Sequence, residues 1–423
     1  MQNGFLAVAA EQVINKTSID GEEKMLAKTD VMLSGVVLAL CFAAAQAAEK
    51  QYGPGVTDSE IKLGQTVAYS GPASAFSSYG HVFTGYFQML NENGGIHGRK
   101  INLLSLDNGY SPPKALEQTR KLVEEDGVLA DAGTVGTPPN SVIQPYLNEK
   151  KVPHLYLSAG GHRFRDPKNF PWSVPLYPGF EMEGRTFGKY LLKIKPDAKI
   201  AVLYQNDDYG KDFLVGLKSA LGDGSAKIVA EVSHELSDPT IASQVVTLKA
   251  SGADVLMEFT TPKFAAQAIR KVSELEWKPL QFVVSPANSV ETVLKPAGLE
   301  NARGLYTTQF TKQAGDPAWE DDPEVKEYVA FMAKWAPGAK AGDFIALSGY
   351  ITSQAVAYVL QQCGDNLTRE NILKQATSLK GQRFKMHLPG ITLNNSPENY
   401  EPYSFLRMAR FDGTSWKPLE EEH

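Results

Sequence analysis

Apolar, strand-like runs alternate with longer amphipathic stretches along most of the chain, a rhythm that predicts parallel sheets with helices on both faces. Residues 61–68 (IKLGQTVA) read as a first strand. Residues 79–91 carry Val82, Tyr86, Met89 and Leu90 at helical spacing and run into Gly94-Gly95, which predicts the first helix. Strand, helix, strand, helix and strand follow at 101–106, 113–125, 128–132, 140–149 and 154–157. A second set opens with a helix at 181–194. It continues with strands at 199–204, 227–232, 255–259 and 281–284 and helices at 211–221, 240–251 and 263–275. Between the sets, 170–175 (FPWSVP) lacks the Gly/Ser or charged composition of a loose linker and reads as a hinge. Beyond Tyr306 the pattern predicts helices at 324–335, 345–362 and 369–378. Short β segments then end in 404–411, where Asp412-Gly413 signals a hairpin turn.

A length of 423 residues is enough for two or three domains, each with its own core. Apolar residues make up 43% and charged residues 21%, which excludes a disordered chain. With 42 Lys plus Arg against 48 Asp plus Glu, the net charge of -6 offers no basic field for a phosphate backbone or an anionic bilayer. Nucleic acid is therefore not an expected partner.

One apolar run bears on the compartment. Residues 31–45 (VMLSGVVLALCFAAA) carry no charge and have the length of a signal-peptide core, too short to span a bilayer comfortably. Ala45-Gln46-Ala47 follows as a small-x-small cleavage pattern, with Lys24 and Lys28 upstream and Met25 as the expected start. Residues 1–47 thus read as a cleavable leader that exports the protein; the alternative is an uncleaved anchor helix. Of two cysteines, Cys41 leaves with that leader. Lipidation there is a lesser alternative, because bulky Leu40 precedes it. Cys363 remains, expected as a quiet buried thiol at a helix end.

Catalytic signatures are missing from the sequence. It has no Gly-x-Ser-x-Gly elbow, no Gly-x-Gly-x-x-Gly or Walker-type phosphate loop and no His-Glu-x-x-His pair, and its seven histidines are scattered. No cofactor or metal is expected. The loops after the predicted strands are instead rich in hydroxyl and glycine residues: 69–80 with Ser70, Phe76 and Tyr79, 133–140 with Gly136 and Thr137, and 158–161 with Ser158, Ala159 and Gly160. Thr137 is expected as the cap of a helix with Pro138 at its first position, leaving backbone N–H groups ready for a carboxylate. Taken singly, each loop also has a bland reading as turn geometry.

These features together resemble the type I periplasmic solute-binding proteins of the branched-chain amino acid (Leu/Ile/Val-binding) ABC transporter family. The likeness runs from about Ile61 to Leu419. It rests on an ordered set: Ile61-Lys62-Leu63-Gly64 leading to Ser70-Gly71-Pro72, then Asn91-Glu92-Asn93-Gly94-Gly95-Ile96-His97-Gly98-Arg99-Lys100. Val152-Pro153, Asp166-Pro167-Lys168-Asn169-Phe170-Pro171-Trp172, Asn206-Asp207-Asp208-Tyr209-Gly210 and Gly252-Ala253-Asp254-Val255 follow. The resemblance implies an α/β fold of two similar lobes, each a parallel sheet with helices on both faces, joined by a three-crossing hinge. The first lobe would combine 58–176 with 304–383, the second 177–303 with 384–419. It further implies a monomeric, periplasmic, non-enzymatic protein that passes a small solute to ABC permease subunits.

Carried over by position, Gly136, Thr137, Ser158, Ala159 and Gly160 match places that hold a ligand carboxylate. Tyr79 and Phe76 match an aromatic wall of the first lobe, and Tyr209 and Thr261 match residues of the second lobe that close over the ligand. One departure concerns the ligand. Where amino-acid-binding members place an acid to hold the ammonium group, 284–288 reads VSPAN. A buried ammonium without a counter-charge is costly, so small organic acids, aromatic ones included, are expected in place of an ordinary amino acid. Arg163 and Arg165 offer either a charge-assisted contact or a solvated surface. A sensor module of the same fold and, more remotely, a periplasmic enzyme remain alternatives.

Overall fold

The apolar runs fold into β-α units in the computed structural model, which describes residues 50–419. The leader, its cleavage pattern and Cys41 lie outside the described residues. In chain order the first units are β1 (Gln51–Tyr52), β2 (Glu60–Val67), α1 (Ser77–Glu92), β3 (Lys100–Asp107), α2 (Pro112–Arg120), β4 (Ala130–Ala132), α3 (Thr137–Glu149), β5 (His154–Leu157) and β6 (Ser173–Pro175). Strands β2 to β6 form a parallel sheet in the order β3-β2-β4-β5-β6. Its two faces carry separate apolar clusters. Val82, Phe83 and Phe87 of α1 meet Leu63 and Val67 in one, and Ala115 of α2 meets Ile143 and Leu147 of α3 in the other.

The second set comprises α4 (Phe180–Ile194), β7 (Ile200–Gln205), α5 (Asp208–Leu221), β8 (Ile228–His234), α6 (Ala242–Ala250), β9 (Val255–Phe259), α7 (Pro262–Glu274), β10 (Leu280–Val283) and β11 (Tyr306–Gln309). The tail adds α8 (Pro323–Trp335), α9 (Phe344–Cys363), β12 (Asn366–Leu367), α10 (Arg369–Ala376), β13 (Arg407–Phe411) and β14 (Trp416–Pro418). Helices α4 and α5 cover one face of the second sheet, and α6 covers the other through Val245 and Leu248.

Five expectations change. The second sheet, ordered β14-β13-β11-β10-β9-β7-β8, is mixed rather than parallel, because β13 pairs antiparallel with β11 and β14 with β13 across the Asp412-Gly413 turn. Residues 170–175 are not a free hinge: Ser173–Pro175 is the edge strand of the first sheet, where Pro is tolerated, and the chain crosses at the residues just after it. The return to the first lobe comes later than 304, since Tyr306–Gln309 is a strand of the second sheet. The third crossing precedes Arg407 rather than residue 384, because Phe384, Leu388, Tyr403 and Leu406 pack in the first lobe's core. Residues 378–406 hold isolated bridges, not the short strands expected there.

The tail is built into the first core. All but four of the 20 residues of α9 are buried, as for a helix enclosed on every side. Asp343 caps it by accepting from Ile345 N at 3.1 Å. Cys363, at its end, is free and buried, and burial pushes its thiol up to about 12. Among the described residues no helix is long and apolar enough to cross a membrane.

Candidate functional site

Between the lobes, at the carboxyl ends of the parallel strands, the loops enclose a cavity. Its first-lobe wall is set by backbone geometry. Gly136 precedes α3 with φ of 100°, and a Cβ there would sit 2.4 Å from the Tyr110 ring, so that ring can lie against the loop only over glycine. Tyr110 has φ of 61° and is held by its N–H donating to Asn108 Oδ1 at 2.8 Å. A register shift at Tyr156 leads β5 into Ser158 and Ala159, which also line the cavity.

Helix α3 begins one residue later than a Thr137 cap would require: Gly136 is the cap and Thr137 the first helical residue. Pro138 and Pro139 have no N–H, and Asn140 N already donates to Gly136 O at 3.2 Å. The expected set of free backbone donors therefore shrinks to Thr137 N–H, against which the Tyr110 phenol stands. Two side chains supplement it. Thr137 Oγ1 and the Tyr79 hydroxyl are both buried at the cavity, and neither makes a hydrogen bond of normal geometry.

The second-lobe wall is aromatic. Asp207 caps α5 by accepting from Tyr209 N at 2.9 Å, which fixes Tyr209 at the cavity, where its ring meets Phe180 edge-on at 5.0 Å. The Tyr209 hydroxyl donates to Thr260 O at 3.2 Å. Gly160 makes room for Phe180, since a Cβ there would lie 2.4 Å from the Phe180 ring. Tyr177 and Pro286 complete this side. Bonds between the lobes hold them together: His162 N donates to Asp212 Oδ2 at 2.7 Å, and Thr292 Oγ1 to Asp343 Oδ1 at 3.2 Å. The enclosed free space is about 30 Å³, so the rings of both walls fill most of the cleft.

Of the residues expected from sequence, Phe76, Tyr79, Gly136, Thr137, Ser158, Ala159 and Tyr209 meet at this cavity. Ser70 does not. It is exposed, and its hydroxyl donates to Asp107 Oδ2 at 2.6 Å, beside the Lys114–Asp107 ion pair. Gly160 acts from behind, under Phe180, and Thr261 caps α7 without reaching the lining. Arg163 and Arg165 pair with Asp208 at 3.3 Å and Glu401 at 2.6 Å instead of facing the cavity. Tyr110, Tyr177 and Phe180 escaped the sequence reading; the aromatic spacing at 177–180 was the only signal for two of them.

A buried carboxyl stands behind each wall. Asp131 accepts from Thr134 Oγ1 at 3.0 Å, and burial pushes it up to about 7. Nearby His154 is pushed down to about 3 by burial, so it is neutral. Asn140 Nδ2 donates to Thr134 O and Gly136 O, which leaves Asn140 Oδ1 to accept from His154 Nε2–H at 2.6 Å. That chain ties down the loop carrying Thr137. Behind the second wall, Glu183 accepts from Ser285 N at 2.6 Å and Ser285 Oγ at 2.8 Å, and burial pushes it up to about 7 against those donors. The segment 284–288 thus has a carboxylate after all, supplied by α4. Among the described residues no group of three or more metal-binding side chains occurs.

Comparison with known proteins agrees with this architecture. The sequence profile of a family described as periplasmic binding protein matches residues 60–410. A Leu/Ile/Val-binding protein homolog 7 of Brucella suis is 23% identical over 73% of this chain and 79% of its own length. Two solved structures share the fold. A branched chain amino acid ABC transporter protein of Thermus thermophilus with bound valine superposes with a TM-score of 0.77 at 15% identity, covering 86% of this chain and 97% of that one. A fatty acid ABC transporter substrate-binding protein of Thermomonospora curvata superposes with a TM-score of 0.70 at 21% identity, covering 89% and 96%. Two α/β lobes around a cleft, with the profile spanning both, place the chain in the periplasmic binding protein family, in its type I, branched-chain-amino-acid-related group.

Proposed function

We propose that the chain is the periplasmic solute-binding component of an ABC importer, exported by its leader, which captures a small organic acid or amino-acid-like solute and releases it unchanged to the permease. The observation that carries this reading is the pair of buried hydroxyls on lining residues, Tyr79 Oη beside Ser158 and Thr352 and Thr137 Oγ1, neither of which makes a hydrogen bond of normal geometry. Buried polar groups are normally hydrogen-bonded, and leaving one unmade costs about 1–3 kcal/mol. A solute carboxylate would satisfy both, with Thr137 N–H as a third donor once Tyr110 moves aside. Rings of Phe76, Phe180 and Tyr209 suit an apolar or aromatic body. The named ligands of the two structural neighbours, valine and a fatty acid, share that combination of carboxylate and apolar body. Closure follows because only the closed form lets one molecule touch both walls. The lining offers hydroxyls and rings, which suits capture and release rather than bond breaking.

The test is a thermal-shift screen of the purified mature protein against amino acids, aliphatic acids and aromatic acids. A solute that binds only the folded state raises the melting temperature. We expect a shift from at least one acid and none from its amide or ester. A shift produced equally by the neutral derivative would refute the carboxylate assignment.

A further inference from the structure

The second wall has a direction built into its hydrogen bonds. Ser285 donates twice to Glu183, through N at 2.6 Å and through Oγ at 2.8 Å. A hydroxyl has one proton, and while Glu183 is ionised that of Ser285 is committed to Glu183 Oε2. Ser285 Oγ must therefore act as acceptor toward the Tyr177 hydroxyl, 2.9 Å away. Tyr177, a lining residue, then has no proton left, and its oxygen can meet a solute only as an acceptor. Tyr177, Ser285 and Glu183 belong to three different segments, so the chain of bonds exists only through the fold.

We infer that Glu183 is a specificity-determining positioning residue which, through Ser285, makes Tyr177 an obligate acceptor, so that the site selects a carboxylic acid also bearing a donor, a hydroxyl or an ammonium group. This rests on the solute-binding reading above and narrows it. A carboxylate two hydrogen bonds behind the lining polarises Tyr177 toward a cationic or hydroxylic donor without exposing a bare charge to the apolar lining. A keto or ether oxygen at the same place would meet lone pairs on both sides and leave an unmade bond.

Gln in place of Glu183 reverses the hydroxyl relay. Its amide oxygen still accepts from Ser285 N, its amide nitrogen donates to Ser285 Oγ, Ser285 donates to Tyr177, and Tyr177 donates into the cavity. The experiment compares, by calorimetry at about pH 8, L-valine and its hydroxy-acid analogue with its oxo-acid analogue, and para-hydroxybenzoate with para-fluorobenzoate, on the native protein, Glu183→Gln and Ser285→Ala. In at least one series we expect the donor-bearing member to bind about tenfold tighter to the native protein. That preference should vanish or invert in Glu183→Gln and vanish in Ser285→Ala, which keeps the Ser285 N bond and loses only the relay hydroxyl. Equal affinities within each bound series, or an unchanged ratio in Glu183→Gln, overturns the inference. Should no acid bind, the solute-binding reading fails separately. The infrared difference between native protein and Glu183→Gln at about pH 8 still decides this one: an ionised carboxylate band is expected, and a protonated carboxyl band contradicts it.

Discussion

The two walls of the cleft use the same residue type in opposite ways. On the first lobe the hydroxyls of Tyr79 and Thr137 are buried and make no hydrogen bond of normal geometry. On the second, Tyr209 has donated its proton to Thr260 O and Tyr177 is tied to Ser285. Open hydroxyls at a cavity are available to something that arrives, whereas committed ones only shape the space. The first wall is thus built to hold a polar head and the second to close over the body, with one acceptor position defined by Glu183. The buried carboxyls differ in the same sense. Asp131 sits behind the first wall with one oxygen unpartnered, while Glu183 has both oxygens engaged by Ser285.

That contrast can be tested from its strongest consequence downward. Asp131 is pushed up to about 7 by burial, so its folded value lies above the unfolded one. The folded state binds the proton more tightly, and native stability is full below the unfolded value near 4 and declines as pH rises through about 7. Asp131→Asn does not titrate and lacks this decline. Urea melts should show the variant gaining on the native protein between about pH 4 and pH 8, by an amount on the order of 4 kcal/mol at most. Parallel pH profiles would mean that Asp131 does not titrate in this window. Next in size, Thr137→Val should weaken binding of the best acid by about ten- to a hundredfold, as for loss of a bond to a charged group. Its melting temperature without solute should not fall, since the lost hydroxyl has no internal partner; unchanged affinity would remove Thr137 from the anchor. Tyr79→Phe should cost affinity by about three- to tenfold while raising the solute-free melting temperature. A drop in that temperature would reveal an internal partner. The smallest effect belongs to Tyr209→Phe, which should leave affinity within about twofold and lower stability by about 1 kcal/mol through the lost bond to Thr260 O. A tenfold loss of affinity there would erase the distinction between the walls.

Legibility in the sequence followed the same division. Long apolar runs such as 255–259 and 154–157 become strands over the expected residues. Ser173–Pro175 and Tyr306–Gln309 were missed because one is three residues long and ends in Pro and the other is largely polar, so neither carries a hydrophobic period. The lobe boundaries shifted for the same reason. The first wall was readable because βα loops supply it through contiguous residues such as Gly136-Thr137 and Ser158-Ala159. Tyr110, Tyr177 and Phe180 reach the cavity through a left-handed turn, a lobe crossing and the bare Cα of Gly160, none of which has a local pattern. Ser70 looked equivalent to Ser158 in sequence, but Asp107 captures its hydroxyl. Glu183 lies about a hundred residues away in sequence from the segment it serves, so its carboxyl could not be read from 284–288.

The most direct test is a crystal structure of the mature protein with whichever acid most raises its melting temperature. The carboxylate is expected within about 3 Å of both Thr137 Oγ1 and Tyr79 Oη, with Tyr110 swung away from Thr137 N–H and the body of the solute against Phe180 and Tyr209. A carboxylate paired with Arg163 or Arg165, or a solute bound with the Tyr79 and Thr137 hydroxyls still unpartnered, would contradict this placement.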